Sequence, residues 1–559
     1  MDAVTEVQEH AKTLEDRFYV QCVLLGCITT GKDRNYAAGA QKALEILKEY
    51  GIKFPSKLLP GQMFIENQKL LRKLPGGNLS AFLDLPEMTD NKSLHIMRLL
   101  VEYLEFFITM SHRDKQKRCY YVVRALNYSA EHGICEHTCS AIVGWASQLR
   151  ENGHFKEADE YAEMGLKMNE RFPRSVGSLH SRVIGLATAG VFSATRPLNK
   201  CLDLWLDAHH VALRTGNTET AAGCILAYSF SYLAVGLPLG SLKSDLTLYE
   251  KESRQFRMPD TVAANFRIFQ QFIVNLQEDV QRPAVLKGNA MDEDQLLGAL
   301  DGNGHRMTMR DIYSFRLLLA CIYGYWDMAE MLLESLEPFL DNDHHLVRAS
   351  LRRTSMALAA FRLARTKGKK KHRTMGKKIM KDLEKDLRHG NVNAHPLYLM
   401  LQAEESPSKE KYDQGIRACA RLGLIHYEAY LCERAGEFFL EQKDDGWSEY
   451  YMGQAFVLWE DWGARGKANK MKEVHPELLK SSNLREKAKS ALKGRTRYSS
   501  EHADMLKDFT WERLISVSTS SLKVTAGSDT STDFSSGTGS ERNRGVMANG
   551  IFTMVDPTN

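Results

Sequence analysis

Apolar residues recur at helical spacing on both sides of Gly153. Intervals of three and four residues connect Ile142, Trp145, Ala146 and Leu149 before the glycine, and Ala158, Ala162, Gly165 and Leu166 after it. This period predicts two amphipathic helices joined by a tight turn at Gly153. Because a single hairpin of this kind leaves one apolar face uncovered, copies of it must stack on neighbours to form a continuous core.

The same pattern recurs along most of the chain. Two amphipathic stretches meet at or beside each of five further glycines: Gly31, Gly216, Gly324, Gly423 and Gly446. We therefore predict an all-α fold, specifically an α-solenoid of stacked helix-turn-helix units. The repeat domain is expected over residues 1–495, with irregular inserts at 54–90, 281–309 and 362–395.

Residues 496–559 differ in composition from the rest of the chain. From Val517 onward this tail is rich in serine, threonine and glycine, with the run STSSLKVTAGSDTSTDFSSGTGSERNRG. Such a segment offers too little apolar surface to offset the entropy lost on ordering. We predict a mostly disordered, low-complexity tail.

Overall composition is that of an ordinary globular protein. Of 559 residues, 43% are apolar, and 74 basic residues nearly cancel 70 acidic ones. The net charge of +4 argues against a surface built wholly for nucleic acid. Ten cysteines are scattered, mostly at apolar helical positions, and are expected to be reduced core residues.

Neither export nor membrane insertion is favoured. The N-terminal run MDAVTEVQEHAKTLEDRF is acidic and has no basic n-region or apolar h-region, which favours a cytoplasmic protein. Residues 220–241 carry no charge, but they include glycines, serines and a proline. We interpret them as a helix buried between solenoid layers rather than as a membrane span.

Motifs for catalysis were sought and not found. The chain lacks the GxxxxGK[ST] phosphate loop, the kinase HRD and DFG series, a nucleophile elbow and an HExxH pair. We therefore predict no catalytic residue, no cofactor and no enzyme activity for this chain.

One cluster has the residue types of a metal site, namely His132, Cys135, His137 and Cys139. Structural zinc normally takes its ligands from two separated knuckles, and a regular helix does not point the last three side chains one way. We predict no metal site here. Gly133 is instead expected to end a helix, with Cys139 facing the core. The pairs His209–His210 and His344–His345 diverge by about 100° on a helix and do not chelate together.

Residues 362–390 hold twelve basic and three acidic side chains. Ile379, Leu383 and Leu387 recur every four residues, which favours an amphipathic helix with a solvated basic face. An electrostatic docking surface is the alternative. Nucleic-acid binding is less favoured because no interleaved aromatic residue offers base stacking.

Several stretches resemble one family. The predicted hairpin at 144–168 resembles a tetratricopeptide unit. A second resemblance, to a larger helical region, is carried by four runs: HAKTLEDRF (10–18), LDLPEMTDNKSLHIMRLL (83–100), ERAGEFFLEQ (433–442) and YYMGQAFVLWEDWGARGKANKMKEVHPELL (450–479). These runs resemble the helical region of multidomain proteins that combine a serine/threonine kinase, an AAA-type signal-transduction ATPase, tetratricopeptide-like repeats and often a sensor histidine kinase or cyclase. The resemblance covers about residues 4–480. Within it, Thr89 or Asp90 is expected to cap a helix, whereas Lys443 and Ser448 stand where a turn glycine and a packing alanine are expected.

In that family this region is implied to hold the ATPase and to relay its state. No kinase or ATPase motif accompanies it here, so no catalytic residue carries over. We expect a non-catalytic interaction and relay module in signal transduction, with protein partners that include kinase or ATPase modules. The partner-binding residues stay unassigned. Two alternatives stay open: a fragment of an ATP-binding kinase-ATPase whose catalytic domains lie outside this chain, and, more distantly, a nucleic-acid-binding repeat protein using residues 367–385.

Overall fold

The computed structural model describes residues 10–29, 35–111, 115–172, 179–256, 258, 260–299, 302–340, 346–479 and 484–493. The chain divides into two compact units, Met1–Tyr498 and Ser499–Asn559. The second unit, which holds nearly all of the predicted disordered tail, lies outside the described residues, as does Gly31.

Within the described residues, the first part of the chain is a series of eight α-helices joined by short turns and irregular segments. They are α1 (Leu14–Thr29), α2 (Tyr36–Glu49), α3 (Gln62–Lys73), α4 (Asn91–Arg98), α5 (Phe106–Ser111), α6 (Lys115–His132), α7 (Glu136–Glu151) and α8 (Phe155–Asn169). A π-helical stretch, Leu99–Glu105, joins α4 to α5. Asp90 caps α4 as predicted, since its carboxylate accepts the backbone N–H of Ser93 at 2.9 Å.

The middle part continues with helices of unequal length. They are α9 (His180–Ala187), α10 (Ser193–Thr195), α11 (Leu202–Arg214), α12 (Thr218–Val235), α13 (Leu239–Gln255), α14 (Asp260–Gln277), α15 (Glu293–Gly298), α16 (Gly302–Tyr323) and α17 (Trp326–Leu336). Helix α12 holds most of the uncharged stretch, and it is capped by Asn217, whose side chain accepts the N–H of Thr220 at 3.0 Å.

The last part contains the longest uninterrupted set of paired helices. They are α18 (Val347–Lys367), α19 (Lys370–His389), α20 (Ala394–Glu405), α21 (Lys409–Arg421), α22 (Ile425–Glu441), α23 (Asp445–Trp462), α24 (Arg465–Val474) and α25 (Leu484–Lys493). Within the described residues no strand forms, and two isolated bridges are the nearest approach to one. The predicted all-α class is confirmed.

Six helix junctions share one tight turn whose last residue is also the N-cap of the next helix. In each, a backbone amide donates to the carbonyl five residues earlier at 2.8–3.0 Å, which satisfies a carbonyl that the helix end leaves open. The acceptor and donor pairs are Leu149 and His154, Ala212 and Asn217, Ala320 and Tyr325, Cys419 and Leu424, Phe439 and Asp444, and Trp459 and Ala464. The residue before each donor has a positive φ and is a glycine at five junctions. Lys443, with φ 62°, holds this position at the sixth, where the sequence led us to expect glycine.

The three predicted irregular inserts all contain helix, and that at 281–309 includes α15 and the first residues of α16. Residues 362–395 were expected to be irregular, yet α18 extends to Lys367 and α19 occupies most of the remainder. The lysines, methionines and leucines of this stretch favour helix, and Gly368, with φ 65°, interrupts it for only two residues. The insert predicted at 54–90 likewise contains α3.

Neighbouring helices pack side by side along the chain. Helix α7 packs on α8, α11 on α12 and α22 on α23, while α7 also contacts α9, α9 contacts α11, and α16 contacts α18. Small residues permit this close packing: Ala146, Ala158 and Ala162 are fully buried between α7 and α8.

Distant parts of the first unit also contact one another. Helix α12 packs on α18, and α14 packs on α24. The Asn393 side chain donates to the carbonyls of Ser193 and Arg196 at 2.9 and 2.8 Å, and the Trp462 indole N–H donates to Leu237 O at 3.1 Å. The last helices therefore fold back onto the middle of the chain.

Candidate functional site

Two aromatic side chains stand exposed at the tip of the α22–α23 hairpin. Trp447 is 40% exposed and Tyr450 is 43% exposed, and their rings contact each other with centroids 5.5 Å apart. Leu440, near the end of α22, is also exposed. We call Leu440, Trp447 and Tyr450 the aromatic surface. Exposed large aromatic residues held on rigid helices are typical of the anchor residues of protein interfaces.

Buried aromatic rings support this surface from below. Phe439 stacks on Tyr451 with ring centroids 5.6 Å apart, and Trp447 contacts both rings at 6.0 and 5.9 Å. The Tyr451 hydroxyl donates to Asp413 at 2.7 Å, which fixes the hairpin against α21. The Lys409 ammonium lies 4.2 Å from the centre of the Trp447 ring, a cation–π distance. The indole is therefore held in place before any partner binds.

The local sequence explains why the hairpin is rigid. Asp444 caps α23 by accepting the N–H of Trp447 at 3.1 Å, and the buried Ser448 hydroxyl donates to Gly436 O on α22 at 2.9 Å. A Cβ on Gly436 would lie 2.7 Å from Met452 Cγ, so only glycine allows the two helices this separation. Ser448 therefore fits the predicted packing position by bonding across the hairpin.

A buried ion pair ties the same hairpin to α24. Lys467 Nζ lies 2.6 Å from one carboxylate oxygen of Glu433, and the Trp459 indole N–H donates to the other at 2.9 Å. Both charged residues are less than a tenth exposed. Burial lowers the pKa of Lys467, and Glu433 opposes that shift. The arrangement fixes α22, α23 and α24 to one another.

Acids on α17 neutralise much of the lysine-rich segment. The Glu330 carboxylate lies 2.7, 2.5 and 2.8 Å from the side-chain nitrogens of Lys367, Lys369 and His372. These hydrogen bonds hold the pKa of the Glu330 carboxyl far below its ordinary value. Lys371 pairs with Glu337 at 3.0 Å. These lysines are committed to contacts within the chain, which supports the prediction of an amphipathic helix over that of an electrostatic docking surface.

The histidine and cysteine cluster is spread over a helix junction. Gly133, with φ 96°, follows the end of α6 as predicted, and Cys139 is fully buried. His137 Nε2 lies 3.4 Å from Glu102. Although burial opposes its protonation, the neighbouring Cys135 and Glu102 raise the pKa of His137 to about 9. No group of three metal-binding side chains occurs among the described residues.

The side chains of His209 and His210 lie in different environments. His209 is buried and bonded to Ala221 O at 2.9 Å, whereas the adjacent His210 is less buried, and burial lowers its pKa. His344 and His345 lie outside the described residues.

Residues 220–241 are packed inside the protein. Most residues of α12 are buried, including Tyr228, Phe230 and Leu233. In the part of the chain that the structure describes, no helix combines the length and apolar character needed to cross a membrane.

No partner-binding residue was predicted from the sequence, so the aromatic surface emerged only from the structure. The signal was present in the alternation of Trp447 and Tyr450 with the buried Ser448 and Tyr451, but exposure is not readable from one sequence. No known protein-family model matches this chain, and no curated protein matches it.

Proposed function

We propose that this chain is a cytoplasmic, non-catalytic α-solenoid of tetratricopeptide-like hairpins that binds protein partners in signal transduction. The recurrent turn at six helix junctions and the side-by-side packing of successive helices support a repeat architecture. The relay role, and partners of the kinase or ATPase type, rest on the family resemblance.

The aromatic surface is the single observation that carries the binding proposal. Truncating a central, well-supported Trp or Tyr at an interface typically costs about 2–4 kcal/mol of binding free energy. The exposed acids Asp444 and Asp445 lie at the rim, close to Trp447. Because Lys409 and Lys443 lie at the same rim, the surface suits a partner segment with an apolar centre and flanks of mixed charge.

Site-specific photocrosslinking tests this proposal. A photoreactive phenylalanine analogue replaces Tyr450 in the full-length chain, which is expressed in its native cells and irradiated. A matched chain carries the analogue at Met331, which is 62% exposed on α17. We expect a discrete protein adduct from position 450 that is missing from position 331. No adduct, or the same adducts from both positions, would contradict the proposal.

A further inference from the structure

A cavity of about 130 Å³ lies where the two halves of the first unit meet. Its walls come from α7, α10, the end of α12, and α18 to α22. Two charged side chains reach it from different halves, Arg150 at the end of α7 and Asp386 on α19. The cavity is separate from the aromatic surface.

Arg150 is buried in this wall, and most of its guanidinium N–H groups donate no hydrogen bond within the part of the protein that the structure describes. It is 8% exposed, and its Nε and Nη2 atoms have no hydrogen-bond partner among the described residues. Its neighbour Glu151 is engaged by Arg118 at 2.8 Å. An unpaired buried guanidinium is strongly destabilising, whereas a carboxylate or phosphate satisfies its donors in a bidentate arrangement.

Asp386 places a negative charge in the cavity wall without forming an ion pair with Arg150. It forms no ion pair with a described residue, and the nearby Arg353 is paired with Asp382. Burial raises the pKa of Asp386, while Arg150 and Arg353 oppose that rise. Arg150 and Asp386 attract each other across the cavity but are not in direct contact, so each has an unmet preference for a counter-charge.

The rest of the wall is fixed and mainly apolar. The Asn393 side chain holds the two halves together. Its amide donates to the carbonyls of Ser193 and Arg196, and its carbonyl oxygen accepts the backbone N–H of Leu198 at 3.1 Å. Leucines complete the lining: Leu351, Leu383, Leu397 and Leu424. The wall thus combines one site for an anion, one site for a cation and an aliphatic surface.

We propose that this cavity binds a small zwitterionic α-amino acid. Its carboxylate bonds to Arg150, its ammonium group bonds to Asp386, and its aliphatic side chain packs on the leucines. The volume suits the smallest members of this class, since a slightly larger cavity of about 150 Å³ accommodates benzene, which has six heavy atoms like alanine. The ligand would bridge α7 and α19 and so stabilise the contact between the two halves.

Calorimetric titration of the full-length chain tests the proposal with L-alanine, L-valine and L-leucine. We expect saturable binding of at least one of them. Binding should weaken by about 10- to 100-fold in Arg150→Met, where the charge-assisted hydrogen bonds are lost, and also in Asp386→Asn. Arg254→Met, which removes an exposed arginine far from this wall, is the matched control and should bind normally. Circular dichroism of each variant establishes that it is folded, and Asp386→Asn keeps the test decisive if Arg150→Met does not fold.

Blocked analogues distinguish an amino acid from a simple anion. L-Valinamide lacks the carboxylate and N-acetyl-L-valine lacks the ammonium group, so neither should compete. Absence of binding by all three amino acids, or equal binding by Arg150→Met, would overturn the proposal. Equal binding of N-acetyl-L-valine and L-valine would also overturn it, because the site would then recognise only an anion.

Discussion

Replacing Lys467 by methionine tests how strongly the buried ion pair holds the last helices together. Methionine keeps nearly the same length and bulk, so the change removes the charge and leaves little cavity. Glu433 then loses its contact with the Lys467 ammonium and keeps one hydrogen bond, from the Trp459 indole N–H at 2.9 Å. The result is a buried carboxylate without a cation.

The expected loss of stability is about 3–5 kcal/mol, the usual cost of removing one partner of a buried pair. Unfolding entropy of about 2 cal/mol/K per residue over the roughly 500 residues of the first unit gives close to 1 kcal/mol per degree. The melting temperature should therefore fall by about 3–5 °C. Circular dichroism at a helical wavelength measures the shift, and urea unfolding gives the free energy independently.

The double variant Glu433→Gln with Lys467→Met provides the control. Its neutral amide still accepts the indole N–H, and no buried charge stays unpaired, so it should recover most of the lost stability. A loss below about 1 kcal/mol in Lys467→Met would refute the reasoning. A double variant as unstable as the sum of its single variants would refute it as well.

Three further predictions concern single positions in the helical array. Lys443→Gly should raise the free energy of unfolding by about 0.5–1 kcal/mol, because the cost of a left-handed backbone at φ 62° exceeds the entropy that glycine adds to the unfolded chain. His137→Gln should flatten the pH dependence of stability. The folded pKa of His137 is raised to about 9, so protonation stabilises the wild-type protein by about 3 kcal/mol below pH 6.5, and this stabilisation is lost as the pH rises through 9. Gly466→Ala should destabilise the protein by about 1–3 kcal/mol, because its Cβ would lie 2.2 Å from Glu278 O.

Two of these predictions have a matched control in urea unfolding. Gly423→Ala alters the same turn at φ 70° and should destabilise, so equal effects of this change and Lys443→Gly would contradict the turn argument. Gly223→Ala meets no atom within 4 Å on an exposed helix face and should be neutral or stabilising, unlike Gly466→Ala. An unchanged pH profile in His137→Gln would remove the proposed protonation.

The helices and most of their junctions were predictable from the sequence. Glycines at 153, 216, 324 and 423 mark real turns, because a left-handed residue is needed after each helix and glycine adopts it without strain. The helix α19 was described correctly as amphipathic but also assigned to an irregular insert. The repeat architecture as a whole stays a prediction, as do the tail, the location in the cell and the signalling role.

Features that depend on distant contacts were not predictable. Apolar periodicity tells which face of a helix is buried but not which helix covers it, so the packing of α12 on α18 could not be foreseen. The same holds for Arg150 and Asp386, which are more than 200 positions apart in the sequence and share one cavity only because the chain folds back. The surroundings of Trp447 likewise depend on where α21 begins, because Lys409, the first residue of that helix, lies over its ring.

The affinity of the crosslinked partner for purified full-length chain tests the central claim most directly. Trp447→Ala with Tyr450→Ala should weaken the dissociation constant by at least about 100-fold while leaving the circular dichroism spectrum unchanged. Met331→Ala, a similarly exposed apolar position, should bind like the wild type. Wild-type affinity in the double variant would contradict the proposal that this chain acts by binding proteins through its aromatic surface.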